Sequence, residues 1–103
     1  MKYKRKRRKG SNGKTKLTPS ESLILSLIAG GFSDGDIAKH VLVSIRTVNR
    51  HIENIREKLD AKNRVHAVVK ALRLGLLSFD EIEKTAEEYA AKVVKATNVT
   101  NAT

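Results

Sequence analysis

Apolar residues recur along this chain at alternating steps of three and four, the period of a helix rather than of a strand. The clearest case is Ser44–Leu59, SIRTVNRHIENIREKL, where Val48, Ile52, Ile55 and Leu59 fall on one narrow stripe. Arg46, Arg50, Glu53 and Glu57 lie on the opposite side, flanked by Asn49 and Asn54. Ser44 precedes the stripe, where its hydroxyl can cap free N–H groups. Upstream, Thr18-Pro19-Ser20-Glu21 reads as a capping box with proline at the first helical position. A strongly apolar helix follows, carrying Leu23, Ile24, Leu25, Leu27 and Ile28, and Gly30-Gly31 closes it. Ser33 caps a short second helix, with Ile37, Ala38 and Val41 on its apolar side.

Downstream, Asn63 caps a fourth helix in which Val65, Val68, Val69, Leu72 and Leu76 form one apolar stripe. Ala67, Ala71 and Leu74 widen the apolar surface, which fits either a second contact face or a helix that is simply well buried. Ser78-Phe79-Asp80-Glu81 opens a fifth helix through residue 97, with Ile82, Ala86, Tyr89 and Val93 as a short heptad-like seam. The expected fold is therefore all-α. It divides into an N-terminal arm (1–16), a four-helix domain (17–77), a C-terminal helix (78–97) and a frayed tail (98–103). Within the domain, a short helix, a tight turn and a longer helix with a polar outer face make a helix-turn-helix arrangement.

Charge sharpens this picture. The net charge of +10 is uneven: residues 1–16 hold nine Lys and Arg and no acid. A second concentration, Ser44–Arg73, carries eight basic and three acidic residues. Such patches attract phosphate backbones through counterion release. The arm has no apolar periodicity, so it is expected to be disordered alone, with Lys4, Arg5, Lys6, Arg7, Arg8 and Lys9 available to phosphates or a minor groove.

Other chemistry is not in evidence. There is no cysteine, the three histidines lack clustered carboxylates, and no nucleophile–base pair or phosphate loop stands out. No enzyme, metal or cofactor is expected. No apolar run approaches a membrane span and no secretory signal precedes the domain, which suggests a cytoplasmic, nucleoid-associated protein. On chemistry alone, Asn49 can pair with adenine, Arg50 with guanine, and Glu53 can accept from a cytosine amino group. Thr47, His51, Asn54 and Lys58 form a flank suited to backbone oxygens.

The segments LTPSE, LIAGGFSDGDIA, VSIRTVNRHIENIREKL and KNRVHAVVKALRLGLL together resemble the DNA-binding domain of the LuxR/GerE family of bacterial transcription regulators. The resemblance covers Leu17–Leu77. It implies a four-helix domain with its third helix in the major groove of double-stranded DNA. It also implies homodimers paired through the fourth helix, where Val65, Val68, Val69 and Leu72 are the candidate interface. Carried over by position, Asn49, Arg50 and Glu53 face bases, while Arg46, Thr47, His51, Lys58 and Arg64 approach phosphates. No receiver or sensing domain fits in this length, so a short stand-alone member is expected, controlled through abundance or a partner. The arm and the fifth helix lie outside the family pattern.

The leading expectation is a sequence-specific transcription regulator. Two alternatives stay open at this point. One is a nonspecific architectural protein driven by the arm. The other is an adaptor that docks on RNA polymerase or another regulator through the fourth or fifth helix.

Overall fold

The computed structural model describes residues 15–101, with side chains described through residue 93. The arm residues Lys4 to Lys9 lie outside the described residues. Five helices follow in order: α1 (Pro19–Ala29), α2 (Asp34–Val41), α3 (Ile45–Leu59), α4 (Arg64–Arg73) and α5 (Phe79–Asn101). There is no strand among the described residues.

The helix starts follow from local chemistry. Thr18 and Glu21 close a reciprocal capping box on α1, and Ser33 and Asp36 do the same on α2. Ser44 caps α3 by accepting from the Thr47 N–H at 3.0 Å, Asn63 caps α4 through His66, and Ser78 caps α5 through Glu81. The ends use left-handed residues. Gly31 takes φ 91° after α1, where glycine meets no steric penalty. Leu42 (φ 59°) and Asp60 (φ 54°) do the same work after α2 and α3 with side chains attached.

α1 is the hub, packing against each of the other four helices. Its Ile24, Leu25 and Leu27 meet Ile37 of α2, Val48, Ile52, Ile55 and Leu59 of α3, and Ala67 and Ala71 of α4 in one buried cluster. The α3 stripe is thus buried as its periodicity predicts.

α4 buries only one of its two apolar sides. Its deeply buried positions are Ala67 and Ala71, while Val68 and Leu72 are only half-buried. Val65 and Val69 face outward, 68% and 44% exposed, as does Leu74. Of the two apolar sides of α4, the core takes the alanines, and Val65 and Val69 turn out. Alanine lets the α4 backbone approach α1 and α3 closely, which a row of valines would prevent.

α5 differs from expectation, running to Asn101 and so including residues 98–101 of the expected tail. No glycine or proline interrupts it after Ser78. α5 packs on α1, and Tyr89 carries the contact onward. The Tyr89 ring lies 4.3 Å from Phe32 and 5.3 Å, edge-on, from His40 of α2. Burial raises the Tyr89 hydroxyl above the usual phenol range, reinforced by the nearby Asp36 carboxylate. Asp36 itself is held below the ordinary carboxylate range, chiefly by the Ser33 backbone N–H it accepts and then by the Ser33 hydroxyl.

Burial beneath α5 also lowers the His40 pKa, with Lys92 adding to the shift and Glu88 opposing it. His40 Nδ1 is buried without a hydrogen-bond partner among the described residues. The unfolded chain, near the ordinary value of 6.5, therefore takes up a proton at a pH where the folded protein does not. This contribution to stability is complete above the unfolded pKa and is lost as pH falls toward the folded one. Urea unfolding should show lower stability at pH 5 than at pH 7, and His40→Gln should flatten that dependence.

Candidate nucleic-acid interface

The site is the outer face of α3. Val48, Ile52, Ile55 and Leu59 hold one side of the helix in the core, so the other side is presented to solvent. Arg46, Asn49, Arg50, Glu53, Asn54 and Glu57 are all exposed there. Together with Arg56, Asp60 and Ala61 they line an open depression of about 650 Å³ along the helix. Among the described residues, no ion pair joins Arg50 to Glu53, so both heads are turned to solvent.

The charge on this face has a direction. Arg46 and Arg50 occupy the N-terminal half, whereas Glu53 and Glu57 occupy the C-terminal half. The positive end of the helix dipole adds to the first pair. The N-terminal half is therefore the part that best fits an anionic partner. Thr47, half-buried, is tied to the cap by a 3.0 Å hydrogen bond between its hydroxyl and that of Ser44. His51, also half-buried, sits one turn further along the same flank.

Two of the expected phosphate-flank residues have partners inside the protein. Lys58 donates to Glu21 Oε1 at 2.7 Å and reaches the Lys16 carbonyl at 3.4 Å. Glu21 is only 4% exposed, and its carboxylate also accepts from the Thr18 N–H at 3.0 Å. Arg64 donates to both Asp34 oxygens, at 2.7 and 3.4 Å, which ties α4 to the start of α2 and leaves it half-exposed. The guanidinium has five N–H donors, so this fork leaves others free for a further acceptor.

The C-terminal end of α3 is locked more tightly than periodicity foretells. Lys70 donates to the carbonyls of Leu59 and Asp60 at 3.0 and 3.1 Å, which also suits the negative end of the dipole. Arg56 donates to the Lys62 carbonyl at 2.8 Å, and the Lys62 N–H donates to His66 Nδ1. The sequence reading missed these roles of Glu21, Asp34 and Lys70. Only the Glu21 cap had a local signal.

The model of the family described as bacterial regulatory proteins, luxR family, matches residues 15–71, more than half of the chain. The chain belongs to the luxR family of bacterial regulatory proteins. It carries the helix-turn-helix, DNA-binding module of these transcription regulators. A Mycobacterium bovis relative, provisionally named as an HTH-type transcriptional regulator, is 39% identical over 69 residues, 67% of this chain and 8% of that protein. The response regulator protein VraR of Staphylococcus aureus is 41% identical over 61 residues, 59% of this chain and 29% of its own length. The luxR-type chain thus spans less than a third of each of these relatives. No helix among its described residues is long and apolar enough to cross a membrane.

Because Glu21 is buried, Lys58 is a structural residue of the luxR-type domain whatever else it touches. Removing it leaves a carboxylate short of its cationic partner. Lys58→Ala should lower the unfolding free energy by about 1–3 kcal/mol, read by denaturant titration. The double variant Lys58→Ala with Glu21→Gln should recover part of that loss, and Arg50→Ala, on the exposed face, should leave stability within about 0.5 kcal/mol.

Proposed function

We propose that this luxR-type domain binds specific double-stranded DNA sites as a homodimer, with α3 in the major groove. The observation that carries the reading is the exposed ridge of Arg46, Asn49 and Arg50 on a helix whose opposite side is fixed in the core. A helix of this width fits the major groove, and its N-terminal half brings the guanidinium and carboxamide groups that match base edges.

The division of labour follows from reach and chemistry. Asn49 and Arg50 read purines, and Glu53, one turn on, accepts from a cytosine amino group or rejects pairs that lack one. Arg46, Thr47, His51 and Asn54 flank these and suit phosphate oxygens, which set the register without selecting sequence. Lys58 and Arg64 first position the helix, through Glu21 and Asp34, and offer their remaining donors to phosphates. Lys4 to Lys9 add sequence-independent attraction along the flanking duplex.

Pairing through α4 is supported by its outward valines. Val65 and Val69 leave an apolar stripe without cover on a helix that already satisfies the core through Ala67 and Ala71. Val68 and Leu72, half-buried at its border, would be shared between the core and the second copy. A two-fold axis on this stripe places two copies of α3 on related half-sites.

The experiment is binding to a selected site against scrambled duplex across a salt series. Arg50→Ala should lose discrimination at one base pair, by about 1–3 kcal/mol. Deleting residues 2–9 should weaken all sequences alike and flatten the salt slope. Unchanged site choice and affinity in Arg50→Ala would remove the groove assignment. Separately, Val65→Glu combined with Val69→Glu should give one copy per two-half-site duplex by light scattering of the DNA complex at limiting protein, where the wild type gives two.

A further inference from the structure

The start of α3 carries an apolar rim beside its polar face. Leu42 is 86% exposed, Val43 37% and Ile45 49%, all within the turn and the first helical residue. Three large apolar side chains facing water at four successive positions form a patch that calls for a partner. Leu42 even holds the left-handed conformation, φ 59°, that glycine or asparagine would occupy at less cost.

Ile45 is the residue with a defined direction. It is the first residue of α3, next to Arg46 and one turn before Asn49. Residues four apart share a helix face, so the Ile45 side chain borders the edge from which Asn49 projects. The surroundings point to an anionic partner: Arg46 and Arg50 stand on the adjoining face, and the positive end of the helix dipole lies at Ile45 itself. The outward valines of α4 belong to another element and are accounted for by pairing.

In this docking mode the N-terminal residues of the recognition helix meet base edges. The apolar group that a base pair offers there is the C5-methyl of thymine. We infer that Ile45 is a further base-reading residue, packing on the methyl of a thymine beside the base approached by Asn49. This inference rests on the DNA-binding reading above. Leu42 and Val43 extend the rim and keep water from the contact. Specificity at that position comes from apolar burial, and therefore differs in kind from the hydrogen-bonded readout by Asn49 and Arg50.

Replacing thymine by uracil removes that methyl and leaves the hydrogen-bonding groups unchanged. The test uses the full chain and its selected duplex, with each thymine replaced by uracil in turn. Wild-type affinity should fall roughly fourfold at one position per half-site, the value of one buried methyl group. Ile45→Ala should bind the thymine site more weakly by a similar factor and be indifferent to uracil there, while Arg50→Ala should keep the uracil effect. Sensitivity unchanged in Ile45→Ala, or a wild type indifferent at every thymine, overturns the inference but leaves the groove assignment standing. A wild type with no preference for any duplex sequence overturns both. The uracil series on the wild type needs no variant to fold.

Discussion

The burial of one stripe of α3 governs the rest of the molecule. Val48, Ile52, Ile55 and Leu59 are sealed against Ile24, Leu25 and Leu27 of α1 and Ile37 of α2. Each such side chain contributes about 1.5–3 kcal/mol when removed from water. Rolling the helix by a single residue position, about 100°, would expose most of them. No surface ion pair can compensate for that, because exposed pairs contribute about 0–1 kcal/mol. The direction in which Arg46, Asn49 and Arg50 point is thus decided on the hidden side of the helix.

Around that stripe, polar contacts serve mainly to hold ends. Ser44 and Thr47 hold the beginning of α3, and Lys70, Arg56 and the left-handed Asp60 hold its finish. Groups on a rigid element need less ordering when they meet a partner, so a helix fixed at both ends spends little binding energy on its own immobilisation. The charged pairs Glu21–Lys58 and Asp34–Arg64 work in the same sense, tying α3 to α1 and α4 to α2.

Much of this was legible in the chain. The caps at Thr18, Ser33, Ser44, Asn63 and Ser78 announce each helix start, because short polar side chains satisfy N–H groups only a few residues away. The α3 stripe is equally plain, since it is apolar on one side alone. α4 is less legible, for the opposite reason. It is apolar on two sides, and periodicity says where the sides are but not which one the core takes. Close packing against α1 and α3 chose the alanines. The Glu21–Lys58 and Asp34–Arg64 pairs span 37 and 30 residues and have no local signature. The end of α5 was placed early because a polar run alone does not stop a helix when nothing breaks it.

The link from Lys58 to the Lys16 carbonyl fixes where the chain enters the domain: beside the last turn of α3, not its first. Arg46 and Arg50, in contrast, stand near the helix start. The fifteen residues of α3 put roughly 22 Å between its two ends. Lys16 and the ridge arginines thus stand toward opposite ends of one rigid helix. Whatever length of chain precedes Lys16, its point of attachment is the finish of α3 and not its start.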